Sequence, residues 1–146
     1  MIHRIEHFQQ EDAEAVTDCW LQSTKQAHPF IDSAYWENHQ KTMINQYLPD
    51  SETWVFKNGA NETGGFYSLT GNHLKALFVR PELQNSGIGS LMMEKIKSSR
   101  REVELRVYKN NRNAIHFYEK HGFSVEAEQT DSKTNEPELV MKWKQT

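Results

Sequence analysis

The chain has 146 residues, a formal net charge of -3, and 25% charged and 11% aromatic residues, which suits one globular domain over residues 1–146 with a substantial core. No apolar run approaches the ~20 residues of a membrane span, MIHRIEHFQQ has no apolar segment of the secretory kind, and a mildly acidic chain lacks the basic face of a nucleic-acid binder. The one cysteine, Cys19, has no disulfide partner, which fits a reducing cytoplasm; the seven histidines show no zinc-ligand spacing, so no metal is expected.

In chain order, Ile2 to Ile5 reads as a short strand. From Gln10, Ala13, Val16, Trp20 and Leu21 recur at helical spacing behind Glu11, Asp12 and Glu14, acids that a helix N-terminus favours. That helix should end by AHPFI, because Pro29 biases His28 away from helical backbone. Asp32 or Ser33 can cap a second helix whose Trp36, Met43, Ile44, Tyr47 and Leu48 line one side, ending at Pro49-Asp50-Ser51. The period then changes. TWVFK, GGFYSLT and HLKALFV read as three strands joined by turns at Asn58-Gly59 and Gly71-Asn72. A helical pattern follows from Leu91 to Lys97, then the alternating strand EVELRVY. NRNAIHFYEKHG is an amphipathic helix with Gly122 as its stop, and two strands flank the polar turn from Thr130 to Pro137. The order predicts a mixed α/β (α+β) layout: one central sheet of about seven strands flanked by about four helices.

Between HLKALFV and the helix lies QNSGIGS. A strand, a glycine turn and a helix form a recurrent phosphate cradle, since the first helical N–H groups lack partners and the dipole favours negative charge there. Gly87 and Gly89 allow close approach or positive φ, and Gln84, Asn85 and Ser86 add neutral donors. A P-loop would need Lys after its last glycine, where Ser90 stands, and the dinucleotide fingerprint would need a third glycine. By spacing alone the segment is equally a tight strand-to-helix turn.

The ordered set is more specific. LFVRPELQNSGIGSLM followed by NRNAIHFYEKHGF, spanning Leu77 to Phe123, resembles the GCN5-related N-acetyltransferase (GNAT) family. The first segment matches its Gln/Arg-x-x-Gly-x-Gly/Ala motif, and the second its Asn-x-x-Ala-x-x-Phe/Leu-Tyr-x-x-x-Gly-Phe motif through Asn111, Ala114, Phe117, Tyr118, Gly122 and Phe123. AHPFI and LKALFVRP look like those of small bacterial members. The resemblance implies that backbone groups of Asn85, Ser86, Gly87, Ile88, Gly89 and Ser90, with Gln84, hold the pyrophosphate of acetyl-CoA, the co-substrate. It implies too that Leu77, Phe78 and Val79 offer backbone groups to the pantetheine arm, as a strand neighbour would.

Acyl transfer to an amine requires a neutral nucleophile, a polarised carbonyl and a proton for the departing thiolate. By resemblance Tyr118 is the acid. A phenol with a pKa near ~10 keeps its proton at neutral pH, although Tyr118 also reads as half of an aromatic helix face. Asn111 would brace the last helix and touch the cofactor, or simply cap it. Many family members carry Glu where this chain has Arg106, so the base is open among His73, Glu104 and water. His28 falls in the loop that walls the acceptor site in this family. The implied activity is acetyl transfer from acetyl-CoA to a primary amine, a protein lysine or N-terminus, by a monomer or homodimer. A small amine (polyamine, amino acid or aminoglycoside) is the alternative acceptor, and a non-catalytic CoA-binding module the alternative class. A toxin acting on charged tRNA would need a basic groove, which the acidic balance disfavours.

Overall fold

A computed structural model describes residues 3–146. Its strands are β1 (Arg4–His7), β2 (Glu52–Lys57), β3 (Thr63–Thr70), β4 (His73–Val79), β5 (Glu102–Tyr108), β6 (Ser124–Thr130) and β7 (Pro137–Lys144). They form one sheet in the order β1-β2-β3-β4-β5-β7-β6. The helices are α1 (Ala13–Ala27), α2 (Ser33–Glu37), α3 (Gln40–Thr42), α4 (Leu48–Asp50), α5 (Ile88–Ser99) and α6 (Arg112–Lys120). The expected mixed sheet with four flanking helical segments is present, with α2 to α4 filling the place of the second. The first strand lies slightly later than Ile2 to Ile5, and Ile2 is outside the described residues.

The second helix is not continuous. Asp32 caps α2 through a bond to Ala34 N (3.0 Å), as expected, but the run breaks at Asn38-His39. His39 N bonds Trp36 O (3.0 Å), while the His39 ring takes Tyr35 O (2.5 Å), the carbonyl a regular helix would give to His39 N. A side chain competing for its own backbone in this way interrupts the ladder. Met43–Tyr47 then forms a π-helical turn before α4.

The sheet separates two cores. On one face Tyr67, Leu74, Val103, Leu105 and Met141 pack with Met92, Met93 and Ile96 of α5 and Tyr118 of α6. On the other, Val55 and Phe66 meet Val16, Cys19 and Trp20 of α1, with Met43 and Leu48. Each fully buried residue of this size contributes roughly 1.5–3 kcal/mol. The second layer covers only β2 to β4. Along β5, Glu104 and Arg106 are exposed between buried Val103, Leu105 and Val107, and β6 is exposed throughout.

Two charged clamps hold α1 against the strands. Arg80, just past β4, donates to Thr63 O (2.7 Å), Ala15 O (3.2 Å) and Asp18 Oδ2 (2.8 Å). Lys57 Nζ is buried between Asp12 Oδ1 (2.7 Å) and Glu6 Oε1 (3.0 Å).

Candidate active site

All but one of the neighbouring strand pairs are antiparallel; β4 and β5 are parallel and in register only at His73–Glu104 and Leu74–Leu105. Beyond those two positions the strands diverge into a V. Lys75 is the extra residue of a bulge in β4 against β3, since Ser68 faces Ala76 and the next residue, Leu69, faces Leu74. A bulge bends its strand and increases local twist. Arg80 N bonds Gly64 O (2.9 Å) on β3. By strand alternation Phe78 and Ala76 also turn their backbone groups to β3, and those of Leu77 and Val79 face the V.

The V is part of a cleft of about 1390 Å³ that runs from the QNSGIGS loop to α1, α2 and the turn before α4. At the loop end, Asn85 (φ 64°) and Gly87 (φ 91°) take left-handed backbone conformations. The first helical bond of α5 runs from Leu91 N to Gly87 O (3.1 Å). The N–H groups of Ile88, Gly89 and Ser90 therefore have no intrahelical partner. At Gly89 a Cβ would stand 3.2 Å from the Phe117 ring of α6, so glycine is what allows α6 to pack against the loop. The polar side chains of the loop largely brace it. Gln84 Nε2 donates to Val79 O (3.2 Å), Ser86 Oγ donates to Leu83 O, and Ser90 Oγ meets His121 Nε2 (3.2 Å). Ser23 of α1 also donates to Val79 O (3.1 Å), so both sides of the cleft are tied to the end of β4.

Tyr118 lines the cleft and is buried among the first core, with Phe117 and Phe123 beside it. Burial is the sole cause that pushes its phenol well above the ordinary tyrosine range. Asn111 caps α6 by accepting from Ala114 N (3.3 Å), and its Nδ2 points to His28 Nε2 at a long 3.5 Å. On the other side of the His28 ring, Nδ1 shares a hydrogen bond with Thr24 Oγ1 (2.9 Å). Burial, opposed by a bond to Thr24, lowers the His28 pKa to about 4. His28, Asn111 and Tyr118 thus share one cleft, with α1 and α6 linked across the V.

His73 and Glu104 are side by side, but at the closed end of the V, and neither lines the cleft. Burial, followed by the charges of Lys75 and Arg106, lowers the His73 pKa. Ser86, too, lies off the lining, while Gln84, Asn85, Gly87, Ile88, Gly89, Ser90, Leu77, Phe78 and Val79 are on it.

Sequence reasoning missed the aromatic wall around His28. The rings of Phe30, Trp36 and Tyr108 stand 5.6, 5.2 and 5.1 Å from it. Trp36 Nε1 is the one buried side-chain polar atom without a partner among the described residues. Tyr108 was recoverable, since EVELRVY alternates and Tyr108 falls opposite the Val103-Leu105-Val107 face. Its hydroxyl donates to Asp131 Oδ2 (2.5 Å), anchoring the turn between β6 and β7.

The residues fit acetyl-CoA. The amino-terminal residues of α5, whose amide hydrogens lack intrahelical partners, line the cleft together with Leu77 and Val79 of β4, and Lys120 and Arg112 add positive charge along α6. Among the described residues no group of three or more His, Cys, Asp or Glu side chains is arranged around a metal position, and no helix is long and apolar enough to cross a membrane.

A family model for the acetyltransferase (GNAT) domain matches residues 49–125. The chain belongs to the GNAT family and is an N-acetyltransferase, with acetyl-CoA as co-substrate and an amine as acceptor. It is 30% identical over 139 residues to the peptidyl-lysine N-acetyltransferase YiaC of Escherichia coli K12, covering 95% of each chain. It is also 30% identical over 125 residues to the peptidyl-lysine N-acetyltransferase YjaB of the same organism, covering 86% of this chain and 84% of that one. The solution structure of apo-form YjaB superposes with a TM-score of 0.87 over 100% of both chains, at 27% identity. The fold is shared with the PaiA N-acetyltransferase of Thermoplasma acidophilum in complex with coenzyme A, at a TM-score of 0.78, 24% identity and 99% coverage of each chain.

Proposed function

We propose that this enzyme acetylates the ε-amine of lysine in proteins or peptides, with Tyr118 as the acid. The observation that carries the reading is the cleft itself. It joins an anion-binding loop on one side of a splayed sheet to an open, aromatic-walled mouth on the other, with the Tyr118 phenol in the wall between. The two relatives named for peptidyl-lysine acetylation support the acceptor class.

Acetyl-CoA, when bound, supplies an acyl group activated as a thioester. The amide hydrogens of Ile88, Gly89 and Ser90 bind its phosphates, and the backbone of Leu77 and Val79 orients its arm along the open edge of β4. Tyr118 holds a proton at its hydroxyl throughout the neutral range, because burial raises its pKa, and donates it to the departing sulfur. The aromatic wall of Trp36, Tyr108 and Tyr35 takes the acceptor's aliphatic stem. His73, kept neutral by burial and by Lys75 and Arg106, receives the acceptor's surplus proton through water, with Glu104 beside it.

Incubating the protein with acetyl-CoA and a panel of lysine peptides, N-terminal-amine peptides and polyamines, read by mass spectrometry, tests this. Acetyl groups on lysine ε-amines are expected; acetylation confined to polyamines would sink the acceptor assignment.

A further inference from the structure

The charge in the cleft is opposite to that of the chain. Lys75, Arg106, Arg112, Lys120 and Lys133 line it against only Asp50 and Glu138, although the whole protein carries a net -3. Among the described residues none of these five cations forms an ion pair, whereas those that do, such as Lys57, Arg80, Arg100 and Lys142, all lie outside the cleft. Lys120 adjoins His121, whose ring meets Ser90 in the glycine loop, so it belongs to the cofactor end. Three others do not. Lys75 is the bulge residue of β4, Arg106 stands on the bare face of β5, and Lys133 lies in the turn between β6 and β7.

Arg106 and Lys133 also line a side cavity of about 370 Å³, which shares Tyr35 and Glu138 with the main cleft. The carboxylates there are already engaged. Glu138 accepts from Gln129 Nε2 (2.8 Å), and Asp131 accepts from the Tyr108 hydroxyl (2.5 Å) and Lys133 N (3.0 Å). Glu104, two residues before Arg106 on the same strand face, forms no ion pair with it, and Asp50 is the last residue of α4. A planar guanidinium with free donors at the mouth of a cleft matches a carboxylate in two-point geometry.

We infer that the acceptor brings its own carboxylate: the enzyme selects lysines flanked by Asp or Glu, held by Arg106 with added attraction from Lys75 and Lys133. This rests on the peptidyl-lysine reading above and narrows it. A polycation would meet like charge in the mouth instead.

The test uses three peptides identical except for the residues on either side of one lysine, as Glu-Lys-Glu, Ala-Lys-Ala and Lys-Lys-Lys, at saturating acetyl-CoA. Exposed charge pairs contribute modestly one at a time, so two carboxylates against two ammonium groups should give about a tenfold difference in kcat/KM at low salt. Added salt should shrink that ratio. Arg106→Glu inverts the order, and Lys133→Glu shifts it the same way by less; both positions are exposed, and unchanged melting temperatures establish that the variants fold. Equal rates on the three peptides, or an acidic preference surviving Arg106→Glu, overturns the inference while leaving lysine acetylation standing. Silence on all three peptides removes the peptidyl-lysine reading and this inference with it. Free glutamate turned over faster than the Glu-flanked peptide would replace the peptide with an amino acid as the source of the carboxylate.

Discussion

The two ends of the cleft are built differently. The loop end is made of backbone: amide hydrogens of Ile88 to Ser90, left-handed Asn85 and Gly87, and a glycine at 89 that allows the approach of Phe117. The other end, the proposed acceptor mouth, is made of side chains from the residue after α1, from α2 and β5 and from the turn between β6 and β7, namely His28, Trp36, Tyr35, Tyr108, Arg106 and Lys133. A backbone site needs a short contiguous run, with side chains restricted only where the backbone is left-handed or a Cβ would not fit. A side-chain site is assembled from residues far apart in the chain, and can change its preference one residue at a time. The glycine-loop end therefore depends on local backbone geometry, and the mouth on which side chains the fold brings together.

The largest test of that division lies between the ends. Tyr118→Phe should lower kcat by about 100- to 10,000-fold, with acetyl-CoA affinity by calorimetry unchanged; wild-type turnover would remove Tyr118 from the chemistry. Because burial raises its pKa, the wild-type rate should not fall through pH 10 by phenol ionisation.

His28 joins the two ends, and its ring is neutral when folded, with a pKa lowered to about 4. The unfolded chain binds that proton more readily, so the stabilisation is complete above an unfolded value near ~6.5 and is lost as pH falls toward ~4, by at most about 3 kcal/mol. Denaturant titrations of His28→Gln should show a flatter acid limb than wild type. Parallel acid limbs would mean that His28 is not the titrating group.

Gly89→Val sharpens the contrast from the loop side. Its branched Cβ meets Phe117, and overpacking of about 1–3 kcal/mol should weaken acetyl-CoA binding by roughly 5- to 150-fold. Peptide flank preference, a property of the mouth, should be untouched. Lys120→Ala is the smallest effect. An exposed charge near the loop is worth about 0.2–1 kcal/mol, so the loss in cofactor affinity should be under about fivefold and should vanish at high salt. A salt-independent loss would point to packing instead.

Strand and helix order was legible because hydrophobic period changes at Glu52 and again at Leu91, and because Gly71-Asn72 and Gly122 mark turns. The broken second helix was not, since it depends on the His39 ring taking a carbonyl from its own helix. The glycine loop could be read because its donors are backbone groups of consecutive residues. His73 and Glu104 were named separately from the sequence as candidate proton acceptors; that they stand side by side at the closed end of the V depends on a two-residue register.

The amino-acid order alone determined the class of fold, the glycine loop and the helix carrying Tyr118, because each is written in local spacing and local backbone chemistry. Only the tertiary structure decided that β7 inserts between β5 and β6, that β4 and β5 diverge after Leu74, and that Arg106, Lys133 and Tyr35 share one mouth. Those facts come from pairings between residues distant in the chain, which no local period encodes.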